Sequence, residues 1–92
     1  MKSSKLRSFL KYMKLLNLTI SRVDLPVFDG EVASVTVPGM SGEMTILANH
    51  TSIISPLKGG TILIKKENGE DESVSITSGT LEMSDNHATI LI

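Results

Sequence analysis

Several residue types are missing or scarce in this chain of 92 residues. It has no cysteine, which excludes a disulfide framework and a cysteine-based zinc site. The three aromatic residues, Phe9, Tyr12 and Phe28, are too few for a base-stacking nucleic-acid platform. Apolar runs are only a few residues long, whereas a membrane-spanning helix needs about 20. The composition, with 40% hydrophobic and 21% charged residues, is typical of one small globular domain.

The charges are divided unevenly along the chain. Residues 1–22 carry six bases and no acid, so their local charge is +6. Residues 23–92 carry three bases and all ten acids, a net charge of −7. A nucleic-acid-binding domain would spread basic charge over its folded part, and here that part is acidic. The two portions therefore call for separate interpretations.

The basic N-terminal segment, residues 1–14, has the pattern of a short amphipathic helix. Its apolar residues recur at spacings of three and four, with lysines and serines between them. One interpretation is a helix lying on an anionic membrane surface. The other is a leader or extension without a dedicated role, because so short an isolated helix is marginal in water. Translation starting at Met13 would make residues 1–12 an upstream extension.

From residue 16 onward the pattern changes to a period of two, which is typical of strands with one buried face. A strand is predicted over residues 16–20, followed by a break at Asp24-Leu25-Pro26. Residues 31–37 resume an extended strand with Ala33, Val35 and Val37 on one face. A turn over residues 38–42 leads to a strand over 44–47, and residues 53–57 are predicted as a short edge segment or bend.

The C-terminal third gives the clearest pattern. Strands over residues 61–65 and 73–77 flank an acidic loop, residues 67–72, in which Asn68-Gly69 is the turn signal. Two further strands are predicted over residues 80–84 and 88–92, with a turn at Asp85-Asn86 between them. Short strands every eight to twelve residues, with turn residues between them, predict an all-β domain over residues 15–92, a β-sandwich or flattened barrel.

The residues needed for catalysis are scarce. The two histidines, His50 and His87, are not at metal-ligand spacing. Ser41 lacks the strand-to-helix context of a nucleophile elbow, and no glycine-rich loop opens a helix to hold a phosphate. The sequence predicts no catalytic, cofactor-binding or metal-binding residue. A binding function is the interpretation that remains.

An ordered set of segments resembles the epsilon subunit of the F-type ATP synthase. The segments are FDGEV at residues 28–32, VTVPG at 35–39, GEMTILANH at 42–50, SII at 52–54, LKGG at 57–60 and SGTLEM at 78–83. No single segment is diagnostic, but together they span nearly the whole predicted β portion. The resemblance is to the N-terminal domain of that family, a flattened β-sandwich of about ten short strands.

The resemblance implies a non-catalytic rotor component of the central stalk of a proton-translocating synthase, present in one copy per complex. Its partners would be the gamma subunit and the membrane c-ring, and it would need no cofactor. Its expected location is peripheral, at the cytoplasmic face of the inner (plasma) membrane. Many family members continue into a C-terminal helical hairpin, but this chain ends at Ile92. It therefore resembles a one-domain form or a truncated one, and inhibitory or nucleotide-sensing roles are not assigned to it.

The resemblance also suggests interface residues. Gly42 and Glu43 match the family's glycine-glutamate turn on the c-ring side, and His50 matches a histidine close to the gamma contact. The family usually has proline-glycine before this histidine and alanine-proline after it. Here the flanking pairs are Ala48-Asn49 and Thr51-Ser52, which leave free the backbone angles that proline would fix.

Family members usually begin almost directly with the first strand, as this chain would from Met13. We therefore expect deletion of residues 1–12 to leave folding and assembly intact. Circular dichroism of the shortened chain checks this, and loss of the folded state would contradict it.

Two other functions fit the residues alone. A stand-alone β-sandwich could bind a small ligand, although this would need a concave apolar site with converging polar groups. A peripheral membrane-binding module could act through residues 1–16 and would adsorb to anionic vesicles in a salt-sensitive way.

Overall fold

A computed structural model describes residues 14–23 and 25–92. The basic segment predicted over residues 1–14 lies, apart from Lys14, outside this described part. Nine strands make up the secondary structure of the described residues: β1 Leu16–Arg22, β2 Leu25–Val32, β3 Ser34–Gly39, β4 Gly42–Leu47, β5 Ile53–Leu57, β6 Gly60–Lys65, β7 Asp71–Ile76, β8 Gly79–Ser84 and β9 His87–Leu91.

The strands pair into one curled sheet with two layers. The first layer has the order β2-β1-β9-β8-β5, in which only the pairing of β1 with β9 is parallel. The second layer has the order β4-β3-β6-β7 and is antiparallel throughout. The layers join where Gly39 of β3 pairs with Leu57 of β5. This confirms the all-β sandwich, with nine strands in the described residues where about ten were expected.

The core lies between the two layers. It contains fifteen buried apolar side chains, and every strand contributes at least one. In β1 the alternation predicted from the sequence is confirmed, because Leu16, Leu18 and Ile20 are all fully buried. Side chains from both layers form one continuous cluster, which identifies this chain segment as a single folding unit.

The break predicted at residues 24–26 is wrong in part. The first strand does end at Arg22, but β2 begins at Leu25 and contains Pro26, which pairs with Ser21 beside a register shift. Proline is tolerated there because β2 is an edge strand of the sheet. An edge strand pairs on one side only, so a residue without an N–H can be placed there more easily than in a central strand.

The single strand predicted over residues 31–37 is interrupted at Ala33. The chain bends at this residue and crosses from β2 in the first layer to β3 in the second. Val32 and Val35 are therefore both fully buried although they are three residues apart, and Ala33 is only half-buried. The bend is anchored by the Ala33 amide, which donates to the Lys65 carbonyl at 2.8 Å.

Two other segments differ from their prediction in detail. Residues 53–57 form a true strand, β5, which pairs along its length with β8 and reaches β3 only through Leu57. The acidic loop is shorter than predicted, because Asp71 and Glu72 already lie in β7. Glu72 forms an ion pair with Lys66, with 3.2 Å between Oε1 and Nζ.

Candidate partner-binding surface

The tip of the β3–β4 hairpin, residues 39–43, contains the predicted Gly42 and Glu43. Gly39 pairs with Gly42, and the two exposed residues between them, Met40 and Ser41, form the turn. Gly42 has a φ of 138°, a conformation that residues with a Cβ rarely adopt. The hairpin can therefore turn in two residues because glycine occupies this position.

Backbone hydrogen bonds hold the hairpin tip against the first layer. The Met40 amide donates to the Pro56 carbonyl at 3.1 Å, and the Lys58 amide donates to the Pro38 carbonyl at 2.9 Å. A cavity of about 270 Å³ lies between the tip and residues 55–56 of β5. The position of the tip is thus fixed by β5, while its outer surface is open.

The side chain of Glu43 is exposed on the outer face of β4, opposite Pro38. Within the described part of the chain the one ion pair is that of Lys66 and Glu72, so Glu43 has no cationic partner there. Beside it, the Met40 side chain is 60% exposed. The tip therefore presents an apolar group near a carboxylate that has no ion-pair partner among the described residues.

His50 lies in the loop that follows β4, which we call the His50 loop, residues 48–52. The His50 amide donates to the Leu47 carbonyl at 3.2 Å, which closes the turn, and the imidazole is half-buried. The Nδ1 atom is 2.8 Å from the Thr51 carbonyl oxygen. A carbonyl oxygen can only accept, so Nδ1 carries the proton and Nε2 is the acceptor of the neutral ring.

The structure places Glu43 and His50 at opposite ends of β4 rather than in one site. The strand runs from Gly42 to Leu47, which at about 3.3 Å per residue step spans about 17 Å. Because β4 pairs with β3 along its whole length, the strand between them is held in the sheet. Glu43 and the His50 loop therefore lie on two separate parts of the surface, one at each end of β4.

Two exposed apolar side chains flank the His50 loop in sequence, one in each layer of the sandwich. Leu47, at the end of β4, is 58% exposed, and Ile54 of β5 is 72% exposed. A cavity of about 480 Å³ lies beside Ile54, lined by residues 52–54 and 82–84. Ile54 and this cavity form an apolar surface bordered by polar side chains where the His50 loop enters β5, a feature characteristic of protein–protein contacts.

A second polar cluster lies away from β4, on the outer face of the first layer. The Thr19 hydroxyl donates to Asp29 Oδ1 at 3.1 Å and lies 2.9 Å from His87 Nε2. Since the one hydroxyl proton goes to Asp29, the imidazole Nε2–H must donate to Thr19. The cluster links β2, β1 and β9 across the outer face of the layer.

Two further features bear on the alternatives. Among residues 14–23 and 25–92, no group of three or more potential metal ligands comes together. Across the same residues there is no helix long and apolar enough to cross a membrane.

The β-sandwich matches a known family. The family model of the ATP synthase delta/epsilon chain β-sandwich domain matches residues 15–92. This chain belongs to that family. The ATP synthase epsilon chain of a Nitratiruptor species is 41% identical over 80 residues, which are 87% of this chain.

Solved structures of ATP synthases contain the same fold. A chain from the mitochondrial ATP synthase of Euglena gracilis, determined with its c-ring, superposes with a TM-score of 0.80 and 26% identity, covering 84% of this chain and 49% of its own length. A chain from the central stalk and c-ring of the Tetrahymena thermophila enzyme superposes with a TM-score of 0.67 at 17% identity, covering 82% of this chain and 60% of its own length. The second likeness shows the fold alone.

The epsilon-type chain described here is shorter than the relatives it matches. It spans 62% of the length of the Nitratiruptor protein and 55% of the epsilon chain of Latilactobacillus sakei. Family membership therefore covers the β-sandwich domain.

One residue that contacts the His50 loop is missing from the sequence predictions. Asn86, in the turn between β8 and β9, accepts a hydrogen bond from the Asn49 amide with its Oδ1 at 2.7 Å. The Asp85-Asn86 pair predicted a turn, and nothing in the local pattern indicated that its side chain reaches the His50 loop 37 residues away.

Proposed function

We propose that this chain is a non-catalytic rotor subunit of the central stalk of an F-type ATP synthase. The His50 loop would bind the gamma subunit, and the hairpin tip with Gly42 and Glu43 would bind the c-ring. The observation that carries the proposal is the placement of two exposed surfaces at opposite ends of β4. One rigid strand can thereby touch two partners at once.

A rotor subunit must transmit force without bending, and the pairing of β4 suits it for this. All six residues of β4 pair with β3, and β3 in turn pairs with β6 in the same layer. Backbone bonds from Met40 and Lys58 tie the hairpin to the first layer. A displacement applied at the tip would therefore move the His50 loop with it.

The expected chemistry of the two contacts differs. The hairpin tip offers a carboxylate and the Met40 side chain, which suits a polar loop of a membrane ring. The His50 loop offers a half-buried imidazole, and the chain that follows it exposes Ile54, which suits a partly apolar protein surface. On this proposal the subunit sits peripherally at the cytoplasmic membrane face in one copy, and the enzyme translocates protons.

Co-elution with the gamma subunit of the same organism tests the proposal. We expect a one-to-one complex that survives size-exclusion chromatography at moderate salt. Replacing His50 with alanine should weaken gamma binding by about tenfold or more, the range expected for a residue at the centre of an interface.

Glu43→Gln provides the matched control, because it changes the opposite end of β4. This variant should bind gamma as the unmodified chain does. If the unmodified chain elutes alone while circular dichroism shows it folded, the rotor assignment is wrong.

A further inference from the structure

Three segments that are distant in sequence meet at Asn86. The segments are the turn between β8 and β9, the residues that lead into β1, and the His50 loop. Asn86 Nδ2 donates to the Leu15 carbonyl at 2.8 Å, and Asn86 Oδ1 accepts from the Asn49 amide at 2.7 Å. Its own carbonyl accepts from the Asn17 amide at 3.2 Å.

The two contacts require a carboxamide. A backbone amide can only donate, so the atom facing Asn49 must be an acceptor. The Leu15 carbonyl can only accept, so the atom facing it must be a donor. A side-chain carboxamide offers one of each, and this also fixes which way the Asn86 amide points.

The backbone at this turn restricts the residue type further. Asn86 has a φ of 58°, a left-handed conformation in which asparagine, aspartate and glycine are tolerated best. Glycine would accept the conformation but would make neither side-chain contact. Aspartate would keep the acceptor for Asn49 and place an oxygen against the Leu15 carbonyl.

The His50 loop needs an anchor of this kind. Asn49 also has a positive φ, 60°, and the loop has Ala48-Asn49 where a proline would restrict the chain. The bond from the Asn49 amide to Asn86 fixes the residue directly before His50. Without it, the turn would depend on the 3.2 Å bond between the His50 amide and the Leu47 carbonyl.

From these contacts we infer that Asn86 is a positioning residue for gamma binding. It does not touch the partner; it holds the His50 loop in the conformation that the partner binds. The inference rests on the proposed function, because it deepens the role of the same surface. Freeing the loop lowers the fraction of molecules whose His50 loop is in the binding conformation. The apparent Kd for gamma rises by the factor by which that fraction falls.

Two variants of the intact chain test the inference. Asn86→Gly keeps the turn and removes both side-chain bonds. Asn86→Asp keeps the acceptor for Asn49. The control is Asp85→Gly, in the same turn at a φ of 52°. The measurements are hydrogen exchange of the Asn49 amide by NMR and the Kd for the gamma subunit.

We expect Asn86→Gly to speed exchange of the Asn49 amide and to weaken gamma binding by about three- to tenfold, the range for loss of the one hydrogen bond that reaches the His50 loop. Asn86→Asp should keep the amide protected and restore most of the affinity. Asp85→Gly should change neither. If Asn86→Gly does not fold, hydrogen exchange of the unmodified chain provides the test, and an unprotected Asn49 amide there would overturn the inference.

Two results with a folded Asn86→Gly variant would also overturn the inference. One is exchange of the Asn49 amide at the rate measured in the unmodified chain. The other is an unchanged Kd for the gamma subunit despite faster exchange of this amide. Failure of the unmodified chain to bind gamma would instead reject the proposed function, and the role of Asn86 in binding with it. The amide measurement would then still show whether Asn86 holds the loop.

Discussion

Replacing Leu18 with alanine is expected to lower the free energy of unfolding by about 2–5 kcal/mol, the range for large-to-small changes in a packed core. Leu18 is fully buried in β1, between β2 on one side and β9 on the other. The substitution leaves a cavity where the leucine side chain was. The strands paired on both sides of β1 hold its backbone in place, so this cavity cannot easily collapse. Chemical denaturation followed by circular dichroism measures the change.

Leu91→Ala is the matched control because it is the same chemical change on an exposed side chain. Leu91 lies in β9, the strand next to β1, and is 58% exposed. We expect its effect to stay within about 0.5 kcal/mol, as is usual for surface positions. Similar decreases in the free energy of unfolding for Leu18→Ala and Leu91→Ala would contradict the placement of the core between the layers.

Replacing Gly39 with alanine is expected to destabilise the fold by about 1–3 kcal/mol, the cost of forcing extra atoms into a packed site. A Cβ built on Gly39 would lie 2.7 Å from the Gly42 carbonyl oxygen, a backbone atom that cannot rotate away. The hairpin would have to open at its tip. Because Gly39 also pairs with Leu57, the contact between the layers would be disturbed as well.

Gly30→Ala provides the control for this second prediction. Gly30 also lies in a strand, and a Cβ there would meet only the Phe28 ring at 3.8 Å, an ordinary contact. Denaturation midpoints of the two variants can be compared directly. Equal midpoints would contradict the close packing of the hairpin tip.

The parts of the fold that the sequence predicted well are those with one buried face. Leu81 and Met83 in β8, like the buried residues of β1, alternate with polar neighbours, and the period of two identified both strands. The beginning of β2 could not be found this way. Residues 25–27 are all exposed and include a proline, so no alternation marked this edge strand.

The candidate surfaces were predictable from the resemblance to a family and not from local patterns. Glu43 and His50 are ordinary as single residues, and only the ordered segments around them indicated a role. The position of Asn86 could not be foreseen, because its hydrogen bonds reach Asn49 and Leu15, which are 37 and 71 residues away. Such contacts depend on the tertiary fold.

Cross-linking from single introduced cysteines can show whether the two ends of β4 bind two different subunits, as the proposed function requires. The chain has no cysteine, so each variant can be labelled at one position with a photoreactive maleimide. The variants are Glu43→Cys, His50→Cys and, as a control on the exposed face of β7, Ser73→Cys. Each is assembled into the ATP synthase of the same organism.

Illumination should cross-link the Glu43→Cys variant to the c-ring and the His50→Cys variant to the gamma subunit, and the control to neither. Cross-links from both ends of β4 to the same subunit, or from neither end in an assembled complex, would contradict the account.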